Sequence, residues 1–203
     1  MKLFYLIILI ISAHCGYSQN VIIPDTNFKQ SLIDEGVDTS LDGEISFSEA
    51  LAVTVLDISS DSIADLTGIE AFTNLVKLDF SNNQITAVDL SAHTNLTHID
   101  CEINLLDSLG LSSLSNLTYL SFSYNQIDTI NLSSNDLLDT IITKGNPLSL
   151  IDLSNLSQLR YLVIAYSNIS SLDLFNNPQL RYLRCTYNSL YSLDISNNPF
   201  LSF

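Results

Sequence analysis

The sequence predicts a solenoid: short parallel strands stacked side by side, little helix behind them, and a small helical cap in front. Two observations predict it. Leu75, Leu96, Leu117, Leu138, Leu159, Leu180 and Leu201 recur at intervals of 21 residues, and residues 19–52 stand outside that period with helical patterning of their own. Composition agrees, because 203 residues with 46% apolar and 14% charged side chains can bury a core, which excludes global disorder. It also removes whole function classes. Twenty-two acidic against seven basic residues leave a net charge of −15, which opposes the phosphate neutralisation that nucleic-acid binding needs. No stretch reaches the roughly 20 apolar residues of a spanning helix, so membrane insertion is excluded as well.

Residues 1–18 are expected to be an address. Lys2 followed by the apolar run from Leu3 to Ser12 has the charged and hydrophobic regions of a secretory signal peptide, and Gly16 and Ser18 supply small side chains for cleavage after Ser18. A lipoprotein signal at Cys15 is the alternative, disfavoured by His14 where a small residue belongs. The expected product is secreted or held at the cell surface, with six basic and 22 acidic groups and a net charge of −16.

Two helices are expected in the cap, residues 19–52. Phe28, Leu32 and Ile33 share one side of the first, which Asp25 or Thr26 would cap, and Phe47 to Val53 begins the second. The twelve residues from Asp38 to Glu49 lie between and into them. Asp38, Ser40 and Asp42 stand at positions one, three and five, Gly43 at the sharp turn, Glu44 offers its carbonyl, Ser46 is ninth and Glu49 twelfth. The segment resembles an EF-hand loop, and that resemblance implies a structural Ca²⁺ held by Asp38, Ser40, Asp42, Glu44, Ser46 and Glu49. A second reading is open. Ser46-x-x-Glu49 is also a capping box for the second helix, with Asp38 and Asp42 as turn residues.

The repeats occupy residues 53–203. Apolar anchors recur three and five places after each leucine, then Asn at eight and Leu or Ile at ten, as in Leu75-Leu78-Phe80-Asn83-Ile85 and Leu117-Leu120-Phe122-Asn125-Ile127. A 22-residue repeat, Val53-Leu56-Ile58-Asp61-Ile63, precedes them, so seven repeats are followed by the first residues of an eighth. Alternation at the start of each makes a short strand, and the Asn would satisfy backbone groups where the chain turns out of it. Asp61 and Ser167 replace that Asn and carry only part of its hydrogen-bonding set. Asn176-Asn177-Pro178 and Asn197-Asn198-Pro199 fit turns on the outer side.

This pattern resembles the leucine-rich repeat, L-x-x-L-x-L-x-x-N-x-L, in the short, internalin-like form exported by bacteria. The resemblance implies a horseshoe of the α/β type with a parallel sheet on its concave face, little helix on its convex side, and an EF-hand-like cap. Internalin-type caps resemble an EF-hand without binding metal, so the resemblance keeps both readings of the loop open. Cys101 and Cys185 fall at one inward position four repeats apart, roughly 19 Å at ~4.8 Å per strand, so both are expected to be buried and free. An eighth repeat that stops at Phe203 leads to the expectation that this is a truncated reading of a longer protein.

Three outward rows should line the concave face. The first runs Val55, Lys77, His98, Tyr119, Thr140, Tyr161, Tyr182; the second Asp57, Asp79, Asp100, Ser121, Ile142, Val163, Arg184; the third Ser60, Asn82, Ile103, Tyr124, Gly145, Tyr166, Tyr187. The face is polarised, since residues 20–116 hold sixteen acidic and two basic groups whereas residues 117–203 hold six and four. Tyr and Arg are common interface anchors, which makes Tyr119, Tyr161, Tyr166, Arg181, Tyr182, Arg184 and Tyr187 the expected partner-binding patch. A protein partner is the first expectation, a glycan stacked on the tyrosines the alternative, and a structural spacer a third. His98, Asp100, Glu102 and Asp79 share an open face without a desolvated pocket, so no enzyme is expected.

Overall fold

The computed structural model describes residues 20–202; the address expected at 1–18 lies outside the described residues. The cap comes first. Helix α1, Thr26–Asp34, begins at Asp25, whose carboxylate accepts from the Asn27 and Phe28 amides, as an N-cap should. The other oxygen of Asp25 accepts from the amides of Ala64 and Asp65, at 2.9 and 3.0 Å, so one side chain ties cap to first repeat. Helix α2, Phe47–Ala52, starts at Ser46 in a capping box with Glu49. Phe28, Leu32 and Ile45 are fully buried between these elements and the first repeat.

Seven three- to five-residue strands follow, β1 Val55–Asp57, β2 Lys77–Asp79, β3 His98–Asp100, β4 Tyr119–Ser121, β5 Thr140–Lys144, β6 Tyr161–Ala165 and β7 Tyr182–Arg184. They form one parallel sheet in sequence order, and every pair keeps the repeat register, for example Lys77↔His98↔Tyr119↔Thr140↔Tyr161↔Tyr182. Behind them the described residues contain one short 3₁₀ helix, Ile69–Ala71, and otherwise turns and extended chain, because 21 residues leave no room for a long return helix.

Inward anchors such as Leu75, Leu96, Leu117, Leu138, Leu159 and Leu180 are fully buried, each stabilising by about 1.5–3 kcal/mol. One anchor departs from the apolar rule: Thr143 is fully buried, and its Oγ1 accepts from Asn146 Nδ2 at 3.1 Å. Cys101 is buried and free as expected; Cys185, also free, is half-exposed, a correction that follows from its place beyond β7, the last strand among the described residues. Leu183, Leu190, Ile195 and Leu201 around it are likewise only partly buried.

The Asn row works across repeats. Asn83, Asn104, Asn125 and Asn146 each accept an amide from the preceding repeat, from Ile63, Ile85, Leu106 and Ile127, while their Nδ2 groups donate to a carbonyl of the preceding repeat and, within their own, to carbonyls or, at Asn146, to the Thr143 hydroxyl. At the two departures the set shrinks. Ser167 reaches only the Ala165 carbonyl, at 3.4 Å, and Asp61 turns to accept from Ser31 of α1.

Two features of the backbone and core escape the sequence reading. The whole third outward row is left-handed, with φ between 52° and 66° at Ser60, Asn82, Ile103, Tyr124, Gly145, Tyr166 and Tyr187. An L side chain there costs on the order of 1 kcal/mol or more. The amides of Asn82, Ile103, Tyr124, Gly145 and Tyr166 each donate to a carbonyl of the next repeat, which holds the conformation in place. A second polar column is buried on the convex side. Asn135 and Asn177 are fully buried, and Asn198 nearly so; their Nδ2 groups donate to carbonyls one repeat back, and His93 in the same column donates from Nε2 to the Ile69 carbonyl. Asn177 and Asn198 lie in the convex turns expected there, with their side chains turned inward as plugs.

Candidate functional site

Strand register sets the concave face. Because neighbouring strands match residue for residue, side chains of one row stand about 4.8 Å apart, close enough for flat rings to stack. Tyr161 and Tyr182 do so with centroids 4.3 Å apart and planes 5° from parallel; Tyr166 and Tyr187 do so at 4.3 Å and 13°. In the other half His98 stacks on Tyr119 at 5.7 Å and 16°. Tyr124 lies across Gly145, where an added Cβ would stand 2.8 Å from its ring, and Lys144 Nζ sits 5.8 Å from the ring centroid.

Of the expected patch, the structure brings Tyr161, Tyr166, Tyr182, Arg184 and Tyr187 together on β6, β7 and the residues that follow them. Tyr119 belongs instead to the His98 pair, two strands away. Arg181 precedes β7 and falls outside the three rows, its guanidinium 5.6 Å from the Phe200 ring. Tyr124 was not singled out from the sequence, although it is half-exposed in the same row as Tyr166 and Tyr187.

The acidic half is equally ordered. Burial pushes the Asp100 carboxyl up to about 6, and the neighbouring charges of Asp79, Glu102 and Asp57 add to the shift against the hydrogen bond from the Glu102 amide. Glu102 is anchored by the hydroxyls of Ser121 and Ser123, at 2.5 and 2.9 Å. A carboxyl whose folded pKa is raised contributes stability below its ordinary value of 3.8 that is lost as pH rises through 6. Asp100→Asn should therefore stabilise the protein at pH 7, by about 1 kcal/mol once solvent screening of a half-exposed group is allowed for. Urea unfolding of both proteins checks this: their difference should shrink between pH 6 and pH 4, and a constant difference contradicts it.

His98 does not form an acid–base pair with these carboxylates. Its Nδ1 lies 2.7 Å from the Thr97 hydroxyl, burial lowers its pKa with Lys77 adding to the effect, and its ring is committed to Tyr119.

In the cap loop the carboxylates face inward onto the loop's own donors. Asp38 accepts from the Gly43 amide, the Asp42 amide and the Ser40 hydroxyl, and these bonds outweigh the upward push of burial to hold its pKa below the usual range. Glu49 accepts from the amides of Ser46 and Ser40 and the hydroxyls of Ser46 and Thr39. The Ser46 amide is the strongest of the causes that lower its pKa to about 2. Glu44 pairs with Lys29 at 2.5 Å. Among the described residues no three His, Cys, Asp or Glu side chains converge as a metal ion requires. As folded, the Asp38 and Glu49 carboxylates are engaged by the loop's own amides and hydroxyls.

Similarity to known proteins follows the same outline. The Leucine Rich Repeat family model matches residues 74–96. The structure resembles internalin C2 of Listeria monocytogenes with a TM-score of 0.76 at 22% identity, covering 89% of this chain and 83% of that one. The fold is a leucine-rich repeat horseshoe. The functional domain of internalin J from the same organism matches with a TM-score of 0.71 at 30% identity, over 91% of this chain and 46% of that chain. In sequence, 74 residues are 40% identical to Internalin J, which is 36% of this chain and 8% of that protein. The chain thus spans less than half the length of the internalin J domain it matches. That domain includes a cysteine ladder; among the described residues here, Phe122, Thr143 and Ile164 separate Cys101 from Cys185 in their row. Among the described residues no helix is long and apolar enough to cross a membrane.

Proposed function

We propose that the chain is an exported leucine-rich repeat module that binds a protein partner, in adhesion or a related surface contact, through the aromatic half of its concave sheet. The face-to-face pairing of Tyr161 with Tyr182 and of Tyr166 with Tyr187 carries this reading. Rings stacked on one another turn their edges and hydroxyls outward, which suits the mixed polar and apolar surface of a protein. Each pair covers only the faces its two rings turn to one another; the outer faces stay open, and the polysaccharide arm below tests the glycan alternative. Export rests on the pattern of residues 1–18.

The test is capture from extracellular proteins, with polysaccharides as a parallel arm, comparing the exported protein with its Tyr161→Ala/Tyr182→Ala variant. Loss of two interface anchors should weaken protein capture by at least about 30-fold. Capture unchanged in the variant removes the aromatic half from the interface. Capture of polysaccharide alone favours the glycan reading, and capture of nothing by folded protein favours a spacer.

Calcium at the cap is a separate proposal, carried by the loop spacing and opposed by the hydrogen bonding of Asp38 and Glu49. Melting temperatures in millimolar CaCl₂ and in EDTA decide it. A rise of several degrees in calcium that Glu49→Gln abolishes supports a bound ion; coincident curves leave the loop a clasp.

A further inference from the structure

The first outward row contains one gap. His98, Tyr119, Thr140, Tyr161 and Tyr182 stand in register on consecutive strands, and the rings form two separate pairs, His98 with Tyr119 and Tyr161 with Tyr182. Thr140 lies between the pairs, its short side chain ending in a methyl and in a hydroxyl 3.2 Å from Asp139. Tyr119 and Tyr161 are therefore two strand spacings apart, about 9–10 Å, and nothing of ring size fills the middle. A flat ring placed halfway would lie about 4.8 Å from each neighbour, within the ~4.5–7 Å range of stacked aromatic pairs. The floor is half-exposed Thr140 and Ile142, and Tyr124, laid across Gly145, closes the far end.

The rim decides what kind of ring enters. On the β3 side Asp100 and Glu102 stand beside Tyr119, with Asp79 next in the row, and burial and mutual repulsion already disfavour the charge on Asp100. The half of the chain on that side carries sixteen acidic groups against two basic ones. A neutral ring alone would leave this charge uncompensated under the partner.

We propose that the gap over Thr140 receives an aromatic side chain of the protein partner, next to a basic residue of that partner that faces Asp100. The inserted ring joins the two pairs into one continuous five-ring stack, His98, Tyr119, partner, Tyr161, Tyr182. This rests on the protein-binding reading and specifies its chemistry.

Methyl NMR of the full chain tests it with three probes: N-acetyl-Lys-Phe-Lys amide, N-acetyl-Lys-Leu-Lys amide and N-acetyl-Glu-Phe-Glu amide. The Lys-Phe-Lys peptide should move the Thr140 and Ile142 methyl signals downfield, as a ring standing edge-on over them requires, and bind about 2–10-fold tighter than either control. Unmoved methyls, or an equal response to the Leu or the Glu peptide, overturn the proposal. Thr140→Tyr supplies the missing ring from within, and should abolish both the peptide response at Ile142 and partner capture; its melting curve and methyl spectrum establish that it folds. A folded Thr140→Tyr protein that captures partner normally while Tyr161→Ala/Tyr182→Ala does not ends this proposal and leaves the binding reading intact. Normal capture by both variants ends the two together.

Discussion

Asn125→Ala is expected to destabilise the protein by about 3–5 kcal/mol, read from urea or thermal unfolding at neutral pH. Asn125 is 6% exposed, and its amide closes four bonds: Nδ2 to the carbonyls of Cys101, Phe122 and Ser123 at 2.9, 3.1 and 3.3 Å, and Oδ1 from the Leu106 amide at 3.0 Å. Alanine removes all of them and leaves a buried N–H and buried carbonyls for which water has no path. Each such group costs about 1–3 kcal/mol, and partial relaxation of the turn keeps the total below their sum. The converse change has the opposite sign. Ser167→Asn restores an acceptor where the Leu148 amide has none from the side chain at that position, and should add about 1 kcal/mol. A loss below about 1 kcal/mol for Asn125→Ala would mean that the ladder does not hold the turns.

Gly68→Ala is the second large effect, about 2–4 kcal/mol, by the same measurements. Gly68 has φ 107°, and an added Cβ would lie 2.8 Å from the Ile22 carbonyl and 2.9 Å from Ile23 Cγ1, where the chain entering the cap crosses the first convex turn. Backbone cannot retreat as a flexible side chain can. Gly43 in the cap loop separates this close approach from backbone conformation alone, since it has φ 80° but no atom within 4 Å of its would-be Cβ. Gly43→Ala should cost only about 1 kcal/mol. Equal losses at the two positions would show that the crossing of residues 22 and 23 over Gly68 contributes nothing.

The fold was legible because one physical demand, burial of the same inward positions, is repeated at a fixed interval. The outward rows followed directly, since strand alternation and register leave no freedom once the anchors are placed. Conformation within a row was less legible. Tyr124, Tyr166 and Tyr187 are poor candidates for left-handed backbone by propensity, and the signals were their alignment with Gly145 and Asn82. Asn-Asn-Pro marked the convex turns at 176–178 and 197–199 but not the inward side chains of Asn177 and Asn198; that His93, Asn135, Asn177 and Asn198 share one repeat position was the clue to an inward column. At the cap the spacing of Asp38 to Glu49 encodes a loop and a helix start together, and the same carboxylates accept backbone amides in both. Spacing alone does not say whether they also hold an ion.

The Asn row also displaces the folding module from the sequence module. Asn104 belongs by sequence to the repeat that starts at Leu96, yet it accepts the Ile85 amide and donates to the Phe80 carbonyl, both in the repeat before. A turn is therefore finished by a residue its own repeat does not encode. Cutting and rejoining the chain in the middle of a repeat, between a strand and its convex return, would leave each such clasp spanning the junction. Removing one whole 21-residue period from Leu to Leu instead hands the preceding turn an equivalent Asn from the next repeat. On this account, lengthening or shortening the array by unit periods is a nearly neutral change for a lineage, whereas drift at a single Asn is felt by its neighbour.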